Sequence, residues 1–141
     1  MPNFTRILHP TDFGPSSLTA FNIACSLAKV SNSTLNVLHV FPPETWRAPD
    51  RVVAEATQRD QQRKAGELAR ERGVEVDWDY CVGEPVEEIL EKAAAERAEL
   101  IVMGLDGDVE SHGRLLSVIA EPVRRRARCP VAMVYDPGKT A

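Results

Sequence analysis

The stretch PVEEILEKAAAERAELIVMGLDG, residues 85–107, decides the fold. Val86, Ile89, Leu90, Ala93 and Ala94 recur at i, i+3, i+4, i+7 and i+8, the stripe of a helix with one buried face. Gly83, Glu84 and Pro85 supply its start. Leu100 to Met103 (LIVM) then forms a continuous apolar run, which is expected of a strand covered on both sides and therefore of a parallel sheet.

Working outward, the same alternation repeats. Phe4–His9 (FTRILH) and Leu35–Phe41 (LNVLHVF) are short, β-rich runs bounded by Pro, Asn and Ser. Ser17–Val30 between them places Leu18, Phe21, Ile23, Ala24, Cys25, Leu27 and Ala28 at mostly helical spacing. Three prolines make Pro42–Asp50 a loop. Arg51–Arg72 reads as a long polar helix with a thin early stripe (Val52, Val53, Ala56) and a firmer late one (Ala65, Leu68, Ala69), ended by Gly73. Val74–Val82 alternates apolar and acidic residues, the pattern of a strand with one wet face near a sheet edge. Leu115, Leu116, Ile119, Ala120, Val123 and Ala127 mark a last helix, in which Pro122 predicts a kink or irregular turn near Val118–Glu121, and Val131–Tyr135 marks a last strand. Strands alternating with helices imply right-handed crossovers and a three-layer, doubly wound α/β domain. In such sheets ligands bind beyond the carboxyl ends of the strands where the strand order reverses, which points to the loops Pro10–Ser17 and Gly104–Gly113.

Composition narrows the function. The 141 residues suit one domain, 1–141, able to bury about two-thirds of its unfolded surface. Seventeen Lys and Arg against twenty-one Asp and Glu give a net charge of −4, which argues against a broad grip on nucleic acid. No window approaches eighteen apolar residues and the N-terminus lacks a signal pattern, so a cytoplasmic protein without membrane attachment is expected. Cys25, Cys81 and Cys129 are odd in number and widely spaced, as reduced, packed thiols would be.

The segments ILHPTDFGPSS, LHV, GEPVEEILEKA, IVMGLDG, LLSVIAE and CPVAMV, in this order and spacing, resemble the universal stress protein family over nearly the whole chain. The resemblance implies a five-stranded parallel sheet in the order 3-2-1-4-5 and a homodimer formed through the last strand. It also implies one of two functional groups: members that bind ATP through Gly-x2-Gly-x9-Gly-Ser/Thr after the fourth strand, with an Asp at the end of the first, and members that have lost this signature. Here Gly104 and Gly107 match the first two glycines and Asp12 matches the acid, but Ser117 and Val118 stand where Gly and Ser/Thr belong. A glycine there lets backbone N–H groups approach phosphate; Ser117 interposes a Cβ and Val118 removes a hydroxyl. Asp106, Asp108 and Glu110 add repulsion, about 3 kcal/mol per like pair at ~5 Å for an effective dielectric near 20, which only a divalent cation would readily reverse.

Pro10, Thr11, Asp12, Phe41, Met103, Gly104, Gly107, Ser117 and Val118 are therefore the candidate pocket residues. The leading expectation is a non-enzymatic stress-response protein with unknown protein partners, no cofactor, no resident metal and no catalytic residue. The alternative binds ATP or AMP with Mg2+ and hydrolyses it very slowly at most, and a third reading keeps only the nucleoside half of the pocket. Asp12 is either a ribose or adenine ligand or a helix-start cap; Gly104 and Gly107 either approach phosphate or merely turn the chain. Ser16 and Ser17 read as caps. His9, His39 and Cys81 would form a metal site only if they shared a face, and His112 would join a divalent ion only with the acidic loop. Trp46 either covers the pocket or anchors its loop, and Trp78 reads as a core or sheet-face residue. Arg124, Arg125, Arg126 and Arg128 read as a solvated helix end complementing the dipole.

Overall fold

Nine of the ten elements make one strand-and-helix alternation, which opens on β1 (Arg6–Pro10), whose last four residues are all buried. The computed structural model describes the backbone of residues 5–12, 15–47, 50–105 and 113–135, and side chains at all of these except 15, 16, 45, 50 and 113–118. After β1 come α1 (Pro15–Ser31), β2 (Thr34–Phe41), a 3-10 turn (Pro43–Trp46), α2 (Asp50–Glu71), β3 (Val76–Val82), α3 (Pro85–Ala95), β4 (Leu100–Leu105), α4 (Gly113–Arg126) and β5 (Val131–Tyr135). The sheet order is β3-β2-β1-β4-β5 with every pairing parallel, as expected. Parallel strands need crossovers, and α1 to α4 supply them.

Alternation along each central strand divides the core in two. Ile7, Leu35, Val37, Leu100 and Val102 face α1 and the later part of α2. Leu8, Leu38, Ile101 and Met103 face α3 and α4. Leu8 and Ile101 are fully buried, and each such side chain stabilises the fold by about 1.5–3 kcal/mol relative to exposure. The continuous apolar run of β4 is thus buried on both faces, while the edge strand β3 alternates as its acidic residues require. Cys25 lies in the first core, where burial pushes its thiol up to about 11; Cys81, on the other face of the sheet, is likewise pushed up to about 11 by burial first and its Glu88 neighbour second.

Two expectations need correction. The first half of α2 does not turn Val52 and Val53 inward: they are 69% and 68% exposed, whereas Gln58 is 7% exposed. The inward stripe runs through Ala54, Gln58, Gln61 and Ala65, so its period is helical but its chemistry is partly polar. Pro122 does not break the chain into an irregular turn: α4 is continuous from 113 to 126 with Pro122 inside it. Buried Ala120 and Val123 on either side hold the helix against the sheet across the missing backbone donor.

The helix ends show how local chemistry stops each crossover. Glu84 caps α3 by accepting the Glu87 N–H at 2.9 Å, with Pro85 in the first turn. Past their last turns, α1, α2 and α3 reach Asn32 (φ 55°), Gly73 (φ 70°) and Arg97 (φ 53°), all in the left-handed region. Asn and Gly suit that conformation; Arg does not.

β1 and β4 pair only at Ile7 with Leu100 and Leu8 with Ile101, whereas β1 pairs with β2 at five positions. Beyond Leu8 the link is a side chain: His9 Nδ1 donates to the Val102 carbonyl at 2.8 Å. A carbonyl only accepts, so Nδ1 carries the proton, and Nε2 is left buried without a partner. Burial, the largest influence, holds this imidazole below its usual value of 6.5 despite the opposing pull of the Val102 carbonyl.

Two outcomes follow for stability. Gly73→Ala places a side chain at positive φ and should cost about 1–2 kcal/mol, whereas Gly66→Ala, whose Cβ would meet only Trp78 at 3.7 Å, should gain about 0.5–1 kcal/mol in urea unfolding. Because folded His9 stays neutral while the unfolded histidine takes up a proton near 6.5, stability should fall as pH drops below 6.5 toward the lowered folded value, by up to about 1.4 kcal/mol per pH unit for this group. A flat unfolding profile between pH 7 and 5.5 would contradict a neutral, buried His9.

Candidate functional site

Where β1 and β4 part, a cavity of about 450 Å3 opens at the carboxyl ends of the central strands. Of the nine candidate residues, Pro10, Thr11, Asp12, Phe41, Met103 and Gly104 line it together. Gly107 lies outside the described residues, as do Asp106, Asp108, Glu110 and His112 of the acidic loop. Ser117 and Val118 fall within α4, and their side chains lie outside what is described. Ile119, the next residue, reaches the cavity wall.

The end of β1 is built from hydrogen bonds that continue the sheet. Thr11 N–H donates to the Leu38 carbonyl at 2.9 Å, one residue past the last β1–β2 pair. Its own carbonyl accepts from His39 Nδ1 at 2.8 Å. This places the His39 imidazole over the cavity margin with its tautomer fixed, and burial lowers its pKa more than the Thr11 carbonyl and Asp12 raise it.

Asp12 is held by a side chain of α1 at the edge of the cavity. Its Oδ1 accepts from the Ser17 hydroxyl at 2.7 Å, and its N–H reaches the same oxygen at 3.3 Å. The carboxylate is thereby pinned to the first turn of α1 while still lining the cavity. Ser17, 6% exposed, clamps Asp12 from inside the helix. A pinned carboxylate is an oriented acceptor, suited to a ligand hydroxyl or amine.

The walls differ in chemistry. Leu38, Val40, Ile89 and Ile119 present hydrocarbon from the α3–α4 side, while Thr11, Asp12, His39, Thr57 and Gln58 bring polar groups from the other. Such a division suits a flat ligand with one apolar face and a polar edge. Thr57 and Gln58 belong to the polar stretch of α2, and sequence reading missed them because it sought apolar residues in that helix. Gln58 donates its amide to Gln62 at 2.6 Å, which fixes the carboxamide.

The other candidates separate from this site. Cys81 sits against the α3–α4 core, opposite His9 and His39, whose rings contact Phe21 and Phe41 on the α1–α2 side. The three therefore share no face, and no group of three metal-ligating side chains occurs among the described residues. Trp46 does not line the cavity. Its ring lies 4.6 Å from that of Phe41 and 6.2 Å from that of Tyr80, and the Arg51 guanidinium sits 4.6 Å above it, so it anchors its loop. Trp78 stacks on Phe21 at 6.0 Å as a sheet-face residue. Arg124 pairs with Glu121 and Arg126 with Glu87. Among the described residues, no helix is long and apolar enough to cross a membrane.

Comparison with known proteins agrees with this architecture. The universal stress protein family model matches residues 3–135. Universal stress protein MJ0531 of Methanocaldococcus jannaschii is 32% identical over 145 aligned positions, covering 96% of this chain and 85% of the relative. A universal stress protein crystallised in complex with cAMP superposes with a TM-score of 0.73 at 26% identity, covering 95% of this chain and 98% of that one. Universal stress protein UspA from Lactobacillus plantarum, 23% identical, shares the fold with a TM-score of 0.80 over 95% of this chain and 99% of its own. By sequence and by fold alike, the chain belongs to the universal stress protein family.

Proposed function

We propose that this protein is a non-enzymatic member acting as a homodimer in the cytoplasm, and that its cavity holds an adenine nucleoside or nucleoside monophosphate without a firm grip on a triphosphate. One observation carries the reading: Pro10, Thr11, Asp12, Phe41, Met103 and Gly104 converge on a cavity of about 450 Å3, within the size range of small-ligand sites. The related protein crystallised with cAMP supports a monophosphate-sized ligand. Ser117 and Val118, the fifth and sixth residues of α4, stand in place of the family's Gly and Ser/Thr and speak against tight phosphate contact there. With the acidic residues of 106–110, they make a divalent cation the requirement for any triphosphate.

The non-enzymatic part rests on the hydroxyl nearest the polar wall. Ser17 donates to Asp12 from a nearly buried position, where the bond holds the start of α1 to the end of β1 and gives the hydroxyl a structural role. The homodimer is supported by β5, a strand at the sheet edge whose first four residues are only partly buried. An uncovered edge of this kind invites a second copy.

Calorimetric titration tests the ligand. Adenosine, AMP and ATP without metal should bind within about tenfold of one another, because the phosphates add little. Ser117→Gly combined with Val118→Ser should strengthen ATP by about tenfold or more and leave adenosine unchanged. Metal-free ATP binding a hundredfold tighter than AMP, or stoichiometric ATP released on denaturing the purified protein, would sink the reading. Sedimentation as a monomer at micromolar concentration would remove the dimer alone.

A further inference from the structure

A second cavity, about 490 Å3, lies at the opposite end of the molecule, between the last turns of α3 and α4 and near the starts of β4 and β5. Leu90, Ala93, Ala94, Ala98, Ala127 and Cys129 form its apolar lining, and Arg97, Arg126 and Arg128 bring three guanidinium groups to it. The small side chains of the EKAAAERA segment leave the space that larger residues would fill. This is a location no part of the nucleotide reading uses.

Charge at this site is unbalanced. Arg126 donates from its two terminal nitrogens, Nη1 and Nη2, to the two carboxylate oxygens of Glu87 at 2.5 and 3.1 Å. Among the described residues, Arg97 and Arg128 form no ion pair and no side-chain hydrogen bond. The ends of α3 and α4 carry the negative ends of their helix dipoles, about half a charge each, so two guanidinium groups without ion-pair partners leave about one positive charge in excess. Complementing the helix dipoles therefore does not use up the arginines.

The backbone supplies an independent observation. Three helices end in the left-handed conformation, at Asn32, Gly73 and Arg97. The first two are residue types that adopt it readily; Arg97, at φ 53°, is strained there. Its N–H still donates to Ala94 and that of Ala98 to Ala93, so the turn itself needs only a backbone, and glycine would make it with less strain. An arginine retained in a conformation that disfavours it directs attention to what its side chain does.

We propose that the cavity between the ends of α3 and α4 binds a small organic oxyanion, a carboxylate or phosphate monoester on a compact apolar body, with Arg97 and Arg128 gripping the oxyanion and the alanine-lined wall covering the body. Planar guanidinium forks match both oxyanions in bidentate geometry. A neutral body of the same shape lacks the charge contact, and an amine is repelled.

Backbone amide shifts in the full-length protein test this with benzoate, phenyl phosphate, inorganic phosphate and benzylammonium as probes. Benzoate or phenyl phosphate should give saturable shifts at Arg97, Ala98 and Cys129 and none at Thr11 or Gly104; which of the two is tighter identifies the oxyanion. Inorganic phosphate should bind more weakly and benzylammonium should not bind. Arg97→Gly should weaken the better ligand about tenfold while leaving the thermal midpoint unchanged or raised, since strain is relieved as the contact is lost. Arg128→Gln should weaken it similarly. Absence of saturable binding by both organic oxyanions, binding indifferent to Arg97→Gly and Arg128→Gln, or inorganic phosphate binding as tightly as phenyl phosphate would overturn the proposal. Adenosine binding at the main cavity is read separately at Thr11 and Gly104, so failure of either site leaves the other measurable.

Discussion

The parting of β1 from β4 is the constraint on which the site depends. Two ladder pairs join these strands, after which the backbones separate and the His9 imidazole spans to Val102. Were the ladder to continue, Pro10, Thr11 and Gly104 would close over the space where the cavity lies. Doubly wound sheets diverge at this point because the crossover α1 leaves β1 on one face and the one preceding β4 returns on the other. A side chain takes over from main chain at the divergence, and a neutral buried histidine is suited to it, having one nitrogen to donate and no charge to desolvate.

The two faces of the sheet then give the cavity its unequal walls. α3 and α4 bring Ile89 and Ile119; α2 brings Thr57 and Gln58. The polar inner stripe of α2 means that its first half is held by the cavity and the Trp46 cluster, without a continuous hydrocarbon seam. Val52 and Val53, left in solvent, add nothing to that attachment. One of the helices lining the cavity is thus only loosely committed to the hydrocarbon core over its first half, the kind of segment that opens locally at low cost.

Much of this was legible in the residues. The stripe from Val86 to Ala94 and the run Leu100–Met103 set a covered parallel strand, and the alternation in Val74–Val82 placed β3 at an edge. Six pocket residues were found because strand ends in this topology converge, whatever their side chains. Gln58 and Thr57 were not, since apolar periodicity cannot report a helix whose inner face is wet. At Pro122 the local cost of proline is real, yet the helix continues across it with Ala120 and Val123 buried on either side. No pattern in sequence marks Arg97 as left-handed, because its conformation follows from where α3 must stop.

The thiols lead to a conclusion about oxidation chemistry. With Cys25 and Cys81 both near 11, about one molecule in ten thousand carries either as a thiolate at pH 7, and Cys129 is shifted in the same direction. Thiolates attack peroxides and disulfides, so the folded chain offers such oxidants few of the nucleophiles they need. Unfolding would return Cys25 and Cys81 toward an ordinary thiol and raise their thiolate fraction roughly a hundredfold, so loss of the fold speeds their oxidation.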